Sequence, residues 1–190
     1  MKIVLYFGSF NPIHVGHLII ANHVANFSDC DQVWLVISPQ NPLKEQKTLL
    51  NEYHRKHLID SAIEGEKKIR SSSIEFSLPK PSYTIDTLTY LKEKYPDHVF
   101  SILMGSDSYQ NLEKWKNYQL LLDNYDILVY KRSGFDVKEL KSNKTFLLEA
   151  PLLDITSTQI RKLIKNKNSI RFLVPDIVKE EIEANNYYKN

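Results

Sequence analysis

At 190 residues, with 42% hydrophobic and 25% charged side chains, the chain is sized for one compact domain with a sizeable core rather than two independent ones. A net charge of +2 is too mild a basic balance for a nucleic-acid polymer as partner and points instead to a small anionic ligand. The single cysteine, Cys30, excludes an intramolecular disulfide and a cysteine-built zinc site, and the sequence carries neither a signal peptide nor an apolar run of bilayer length, so the expectation is a cytoplasmic protein with no membrane partner.

Lys2 to Phe7 is β-branched and aromatic, which predicts a buried strand ending at Gly8, where a side chain would obstruct a tight turn or a close ligand. The stretch from Gly8 to Leu18 reads Gly-Ser-Phe-Asn-Pro-Ile-His-Val-Gly-His-Leu. Asn11-Pro12 predicts a turn, and Val15, Leu18, Ile19 and Val24 recur at helical spacing, which places His14 and His17 at a helix's first turn. Orphan amides at such a position favour phosphate, and two imidazoles with Gly16 leaving room between them add directional, titratable donors.

Further strands are predicted at Gln32 to Ser38, Ile74 to Leu78, His98 to Met104, Ile127 to Lys131 and Phe146 to Leu148. Helices are predicted over Tyr53 to Glu64 and Thr84 to Lys94, and from Gly105–Asp107 through Trp115 to Leu122. This alternation predicts an α/β fold: a Rossmann-like, doubly wound parallel sheet with helices on both faces and right-handed crossovers. Ligands in such sheets sit beyond the carboxyl ends of the strands, where the polar segments after Gly8, Ser38, Gly105 and Lys131 fall.

Residues 151–190 break the pattern and predict a small C-terminal helical portion of the same single domain, added to an α/β core over residues 1–150. Thr156-Ser157-Thr158-Gln159 is a capping-box pattern, and Ser157 and Arg161, four apart, share a face, so a hydroxyl, free amides and a guanidinium meet at one helix start. That makes a second anion site. A last helix follows Pro175, over Asp176 to Asn185, with Ile177, Val178 and Ile182 as its buried stripe.

Neither Gly-x-Gly-x-x-Gly nor Gly-x-x-x-x-Gly-Lys-Ser/Thr occurs, so phosphates must be held otherwise. The His-x-Gly-His turn, paired with the distant Thr-Ser-Thr-x-Ile-Arg helix start, resembles the nucleotidyltransferase superfamily marked by HxGH, and within it the bacterial nicotinate mononucleotide adenylyltransferases. The resemblance runs nearly full length, through Pro42-Leu43-Lys44, His54-Arg55, Ser82 to Leu88, Gly105-Ser106-Asp107, Trp115-Lys116, Lys131 to Gly134 and Leu173-Val174-Pro175. Asn11 stands where that family usually has Asp, Leu43 where a histidine often sits, and Lys116 where an aromatic commonly follows the tryptophan.

The resemblance implies a Rossmann-like fold, ATP and nicotinate mononucleotide as substrates, Mg2+ as the metal, and deamido-NAD and pyrophosphate as products of NAD biosynthesis. It implies catalytic roles for His14, His17, Lys44 and Arg161, and ATP contacts from those two histidines and Arg161 with Gly8, Ser9, Phe10, Gly16, Gly105, Asp107, Ser157 and Thr158. The mononucleotide falls to Asn11, Lys44, Ser82, Tyr83, Thr84, Trp115 and Arg132, with Trp115 as a flat face for the pyridine ring. No side-chain metal ligand is assigned; Asp107 suits either a ribose hydroxyl or water-bound Mg2+. A homo-oligomer is compatible with all of this.

Simpler roles stand beside these. His14 and His17 suit a helix cap and a buried ring, or an i,i+3 metal pair without a third ligand; Trp115 suits a core; Asp107 and Thr84 suit helix starts. Another acceptor, such as nicotinamide mononucleotide or phosphopantetheine, and a non-catalytic nucleotide sensor are the alternative functions.

Overall fold

A computed structural model of the chain describes residues 1–40 and 48–189. Six strands, β1 (Lys2–Gly8), β2 (Gln32–Ile37), β3 (Ile69–Ser72), β4 (Val99–Gly105), β5 (Ile127–Tyr130) and β6 (Thr145–Leu148), form one sheet in the order β3-β2-β1-β4-β5-β6. Every pairing is parallel, with Gly8 opposite Ile37 on one side of β1 and Leu5 opposite Ile102 on the other. The direction of winding therefore reverses between β1 and β4, and a parallel doubly wound sheet opens a crevice there.

Alternation along β1 sends Val4 and Tyr6 to one face and Ile3 and Leu5 to the other, each into its own apolar cluster. The first face is covered by α1 (Val15–Phe27), α2 (Glu52–Ala62), α6 (Ser157–Lys165) and α7 (Asp176–Ala184), through Ile20, Val24, Leu58, Ile59, Ile160, Val178 and Ile182. The second is covered by α3 (Thr84–Lys94), α4 (Ser106–Gln110) and α5 (Tyr118–Asn124), through Ile85, Leu88, Leu91, Tyr109, Leu121 and Leu122. The C-terminal helices thus share the core of the N-terminal strand. Among the described residues no helix is long and apolar enough to cross a membrane.

Three local expectations differ. The third strand is Ile69–Ser72, and Ile74–Ser77 is instead a 3-10 turn closed by Phe76 N–H on Ser73 and Leu78 N–H on Glu75. The strand's serines read as a loop because only the ladder to β2, Val33 opposite Ile69 onward, makes them extended. The helical stretch after Gly105 is broken into α4, a 3-10 turn at Leu112–Lys114 and α5, with Asn117 in the left-handed region (φ 52) that Asn tolerates better than most residues. The α1 stripe is rotated, burying Gly16, Ile20, Ala21 and Val24 while Ile19 is exposed, whereas α7 buries Val178 and Ile182 as expected and leaves Ile177 exposed.

Candidate active site

The crevice between the ends of β1 and β4 is a cavity of about 940 Å3. Its floor is the turn joining β1 to α1, and residues from the far end of the chain fasten that turn. Arg161 Nη1 donates to the Asn11 carbonyl at 2.7 Å, and Ser157 Oγ donates to the Pro12 carbonyl at 2.9 Å. α6 is itself capped, Thr156 Oγ1 accepting from Gln159 N–H at 3.1 Å, and Thr158 Oγ1 accepts from Arg161 Nη2 at 3.2 Å, which steadies the guanidinium. Asn11 works from the other side. Its amide donates to the Thr48 carbonyl at 2.8 Å and accepts from Leu50 N–H at 3.1 Å, a pairing that needs both a donor and an acceptor. The Asn at this position is therefore used as an amide rather than as a neutral substitute for a carboxylate.

Behind the turn lies Arg55, fully buried at 0% exposure. Its guanidinium donates to the carbonyls of Ser9 (2.5 Å), Ser38 (3.0 Å), Pro39 (3.4 Å) and, through Nε, Leu50 (2.8 Å). One planar fork thereby ties the ends of β1 and β2 to the start of α2.

His14 caps α1 with its backbone, and its ring stacks on that of His17, centroids 3.6 Å apart and 25° from parallel. His17 is backed by Phe10, edge-on at 5.0 Å, and by Tyr6 at 6.0 Å. A Cβ added to Gly16 would lie 3.0 Å from His14 Nδ1, so glycine is what lets the ring lie flat there. His14 is 4% exposed, and its burial, helped by the Arg132 charge, lowers the imidazole from 6.5 to about 3, leaving it neutral near pH 7.

On the β4 and β5 side, Asp107 in the first turn of α4 faces Arg132 across 3.5 Å. Gly105 leaves this pair its room, since a Cβ there would come within 2.9 Å of Arg132 Cδ and 3.2 Å of the Tyr130 ring and make them shift. Arg132 N–H donates to Ser106 Oγ at 2.9 Å, and Tyr130 shares a 2.9 Å hydroxyl bond with Tyr6 beneath the floor, both phenols raised by burial. The opposite wall is Ser82, Tyr83 and Thr84 at the start of α3, with Trp115 beside it in extended conformation just after the 3-10 turn. Lys116 binds Asp86 of α3 at 2.8 Å and lies 4.9 Å over the Tyr83 ring.

Residues 5–163 match the cytidylyltransferase-like family model. A protein from Flavobacterium johnsoniae, named a probable nicotinate-nucleotide adenylyltransferase, is 52% identical over 192 aligned positions that cover 100% of both chains. One of the same name from Cytophaga hutchinsonii is 50% identical, again over 100% of both. The chain belongs to the nicotinate-nucleotide adenylyltransferase family. A solved Plasmodium falciparum nicotinic acid mononucleotide adenylyltransferase, complexed with NaAD, is 25% identical, covers 98% of this chain with 97% of its own, and superposes with a TM-score of 0.87.

In this adenylyltransferase-family chain, the residues singled out from the sequence meet at one cavity to a large extent. Gly8, Ser9, Phe10, Asn11, His14, His17, Ser82, Tyr83, Thr84, Gly105, Asp107, Trp115, Arg132, Ser157, Thr158 and Arg161 all line it. Gly16 instead lines a small hollow behind the imidazoles, and Lys44 lies outside the described residues. Phe10, 2% exposed, is mostly a backing for His17. Asp107 does not cap α4, whose N-cap is Gly105, and Thr84 follows the N-cap Tyr83. Sequence reasoning gave no role to Arg55, Glu75, Tyr6 or Tyr130. The available signal was a charged residue at an apolar phase of α2: Arg55 falls three before Leu58 on its buried side.

Replacing Arg55 by Met would leave buried carbonyls without donors and should cost about 3 kcal/mol or more in a urea-unfolding measurement. The folded-state His14 value, about 3, lies below its ordinary 6.5, so the unfolded chain takes up a proton that the folded one refuses. Stability should therefore be complete above pH 6.5 and fall as pH drops from there, with a His14 contribution approaching about 1.4 kcal/mol per pH unit. Comparing unfolding at pH 7 and pH 5 in wild type and His14→Asn should show that contribution disappear.

Proposed function

We propose that the chain joins ATP to nicotinate mononucleotide, giving deamido-NAD and pyrophosphate, as a single nucleotidyltransferase domain in the cytoplasm. The observation that carries this reading is the junction of Arg161 and Ser157 with the carbonyls of Asn11 and Pro12, which sets the guanidinium, the stacked imidazoles and the start of α6 around one cavity. Family membership supplies the reaction class.

No protein nucleophile is needed. An oxygen of the mononucleotide's 5′-phosphate attacks the α-phosphorus of ATP, the bond from that phosphorus to the oxygen bridging to the β-phosphate breaks, and pyrophosphate leaves with the electron pair. The protein's task is to bring two polyanions into line and to place positive charge where it accumulates on nonbridging and leaving oxygens. His17 donates to the α-phosphate as the attack proceeds. His14, Arg161 and Lys44 hold the triphosphate, with Ser157 and Thr158 at the amide-rich start of α6 and Gly8, Ser9 and Phe10 forming the backbone floor.

Thr84 and its neighbours Ser82 and Tyr83 receive the nicotinate carboxylate at the start of α3, where the helix dipole favours an acid over a neutral amide. Trp115 faces the pyridine ring, and Asn11 and Arg132 flank the mononucleotide. Gly105 gives Arg132 its room, and Gly16 does the same for His14.

Among the described residues no group of three or more His, Cys, Asp or Glu is placed to hold a metal. The Asp107 carboxylate in the cavity wall, 34% exposed, suits an ion carried mainly by phosphate oxygens and water. Mg2+ bound there would screen the triphosphate's charge.

Purified protein with ATP, Mg2+ and nicotinate mononucleotide should release pyrophosphate, and faster than with nicotinamide mononucleotide or phosphopantetheine. ATP binding by calorimetry without release from any of them would instead make the chain a nucleotide sensor. His17→Ala should lower kcat about a hundred-fold or more with a much smaller change in KM, because its contact tightens only in the transition state.

A further inference from the structure

Glu75 is the buried carboxyl that the proposed chemistry leaves unused. It sits in the 3-10 turn between β3 and α3, is 1% exposed, and lines the cavity on the acceptor side with Ser38, Ser82 and Thr84. Thr87, 0% exposed, donates its hydroxyl to Glu75 Oε1 at 2.8 Å. The same hydroxyl stands 3.3 Å from the Tyr83 carbonyl, the N-cap carbonyl of α3, which also accepts the amides of Asp86 (3.0 Å) and Thr87 (3.2 Å).

A helical Thr without another partner bonds back to the carbonyl four residues earlier and bends the first turns of its helix. Glu75 supplies the other partner. It takes the Thr87 hydroxyl at 2.8 Å and leaves only a longer, 3.3 Å bond to Tyr83, so that carbonyl chiefly serves the amides of Asp86 and Thr87 at the start of the helix, beside Ser82, Tyr83 and Thr84 of the cavity wall. Glu75 Oε2 and Ser82 Oγ are both buried, and the hydroxyls of Ser38 and Ser82 lie close enough to the carboxyl to temper the rise in its pKa. Burial raises this carboxyl toward its neutral form, which lessens the repulsion it would offer an incoming anion.

We propose that Glu75, acting through Thr87, is the positioning residue that fixes the start of α3 for the acceptor's carboxylate and so sets the preference for acid over amide. This rests on the functional reading above. Glu75→Ala should raise KM for nicotinate mononucleotide about ten-fold, the loss of one buried hydrogen bond, and lower the ratio of kcat/KM for the acid to that for nicotinamide mononucleotide, while KM for ATP stays within about two-fold. Thr87→Val, a near-isosteric change that also covers the case in which the alanine variant fails to fold, should give the same pattern. The double variant should be no worse than Glu75→Ala. Glu75→Gln, which still accepts from Thr87, should restore most of the acid preference.

Unmoved nicotinate mononucleotide KM and acid-to-amide ratio in Thr87→Val, or an equal rise in KM for ATP, overturns the proposal. So does a Glu75→Gln variant as impaired as the alanine one. Active wild type with unmoved variants sinks this inference alone, whereas wild type that releases no pyrophosphate with nicotinate mononucleotide sinks the functional reading and this one with it.

Discussion

The hydrogen bonds from Arg161 and Ser157 to the carbonyls of Asn11 and Pro12 are the constraint on which the cavity depends, because they make one structure of two segments nearly the whole chain apart. Each half alone is an ordinary helix start with unsatisfied amides. Bonded together, the two starts keep a fixed separation, and the turn's carbonyls are occupied by donors instead of facing an anion. Arg55 does similar work from within, drawing the Ser9 carbonyl back into the core. Backbone oxygens, which would repel phosphate, are pulled to the outside or the underside of the floor.

The charges follow the same logic. His14 is neutral because its ring is buried against His17 and near Arg132, so the unliganded floor does not hold two stacked cations. An anion placed beside the ring would favour its protonated form. Arg132 and Asp107 partly neutralise each other on the β4 side, and Lys116 and Asp86 do so on the α3 side.

Much of this was legible in the sequence where a local pattern and its tertiary use coincide. The apolar runs of β1, β2, β4 and β5 are buried on both faces, so continuous hydrophobicity marked them without ambiguity. The Thr156 cap and the sharing of a face by Ser157 and Arg161 are properties of a few neighbouring residues, and the structure shows the Thr156 half of the box and the shared face. What escaped depends on distant partners. β3 is extended only because β2 offers it a ladder, and Ile74–Ser77 curls because Glu75 turns inward to Thr87. Arg55 carries no assigned role in the sequence, and only the convergence of four carbonyls from three segments gives it one. Asn11 likewise reads as a lost charge until Thr48 and Leu50 show that both ends of its amide are in use.

That the floor is completed from α6 also bears on the order of events during synthesis. A nascent chain that has made β1, α1 and the central strands still lacks the guanidinium that closes the turn, because Arg161 follows all of them in the sequence. Until α6 is made, the Asn11 and Pro12 carbonyls have no donors from Arg161 and Ser157. A fragment that stops before α6 would leave the turn unfastened.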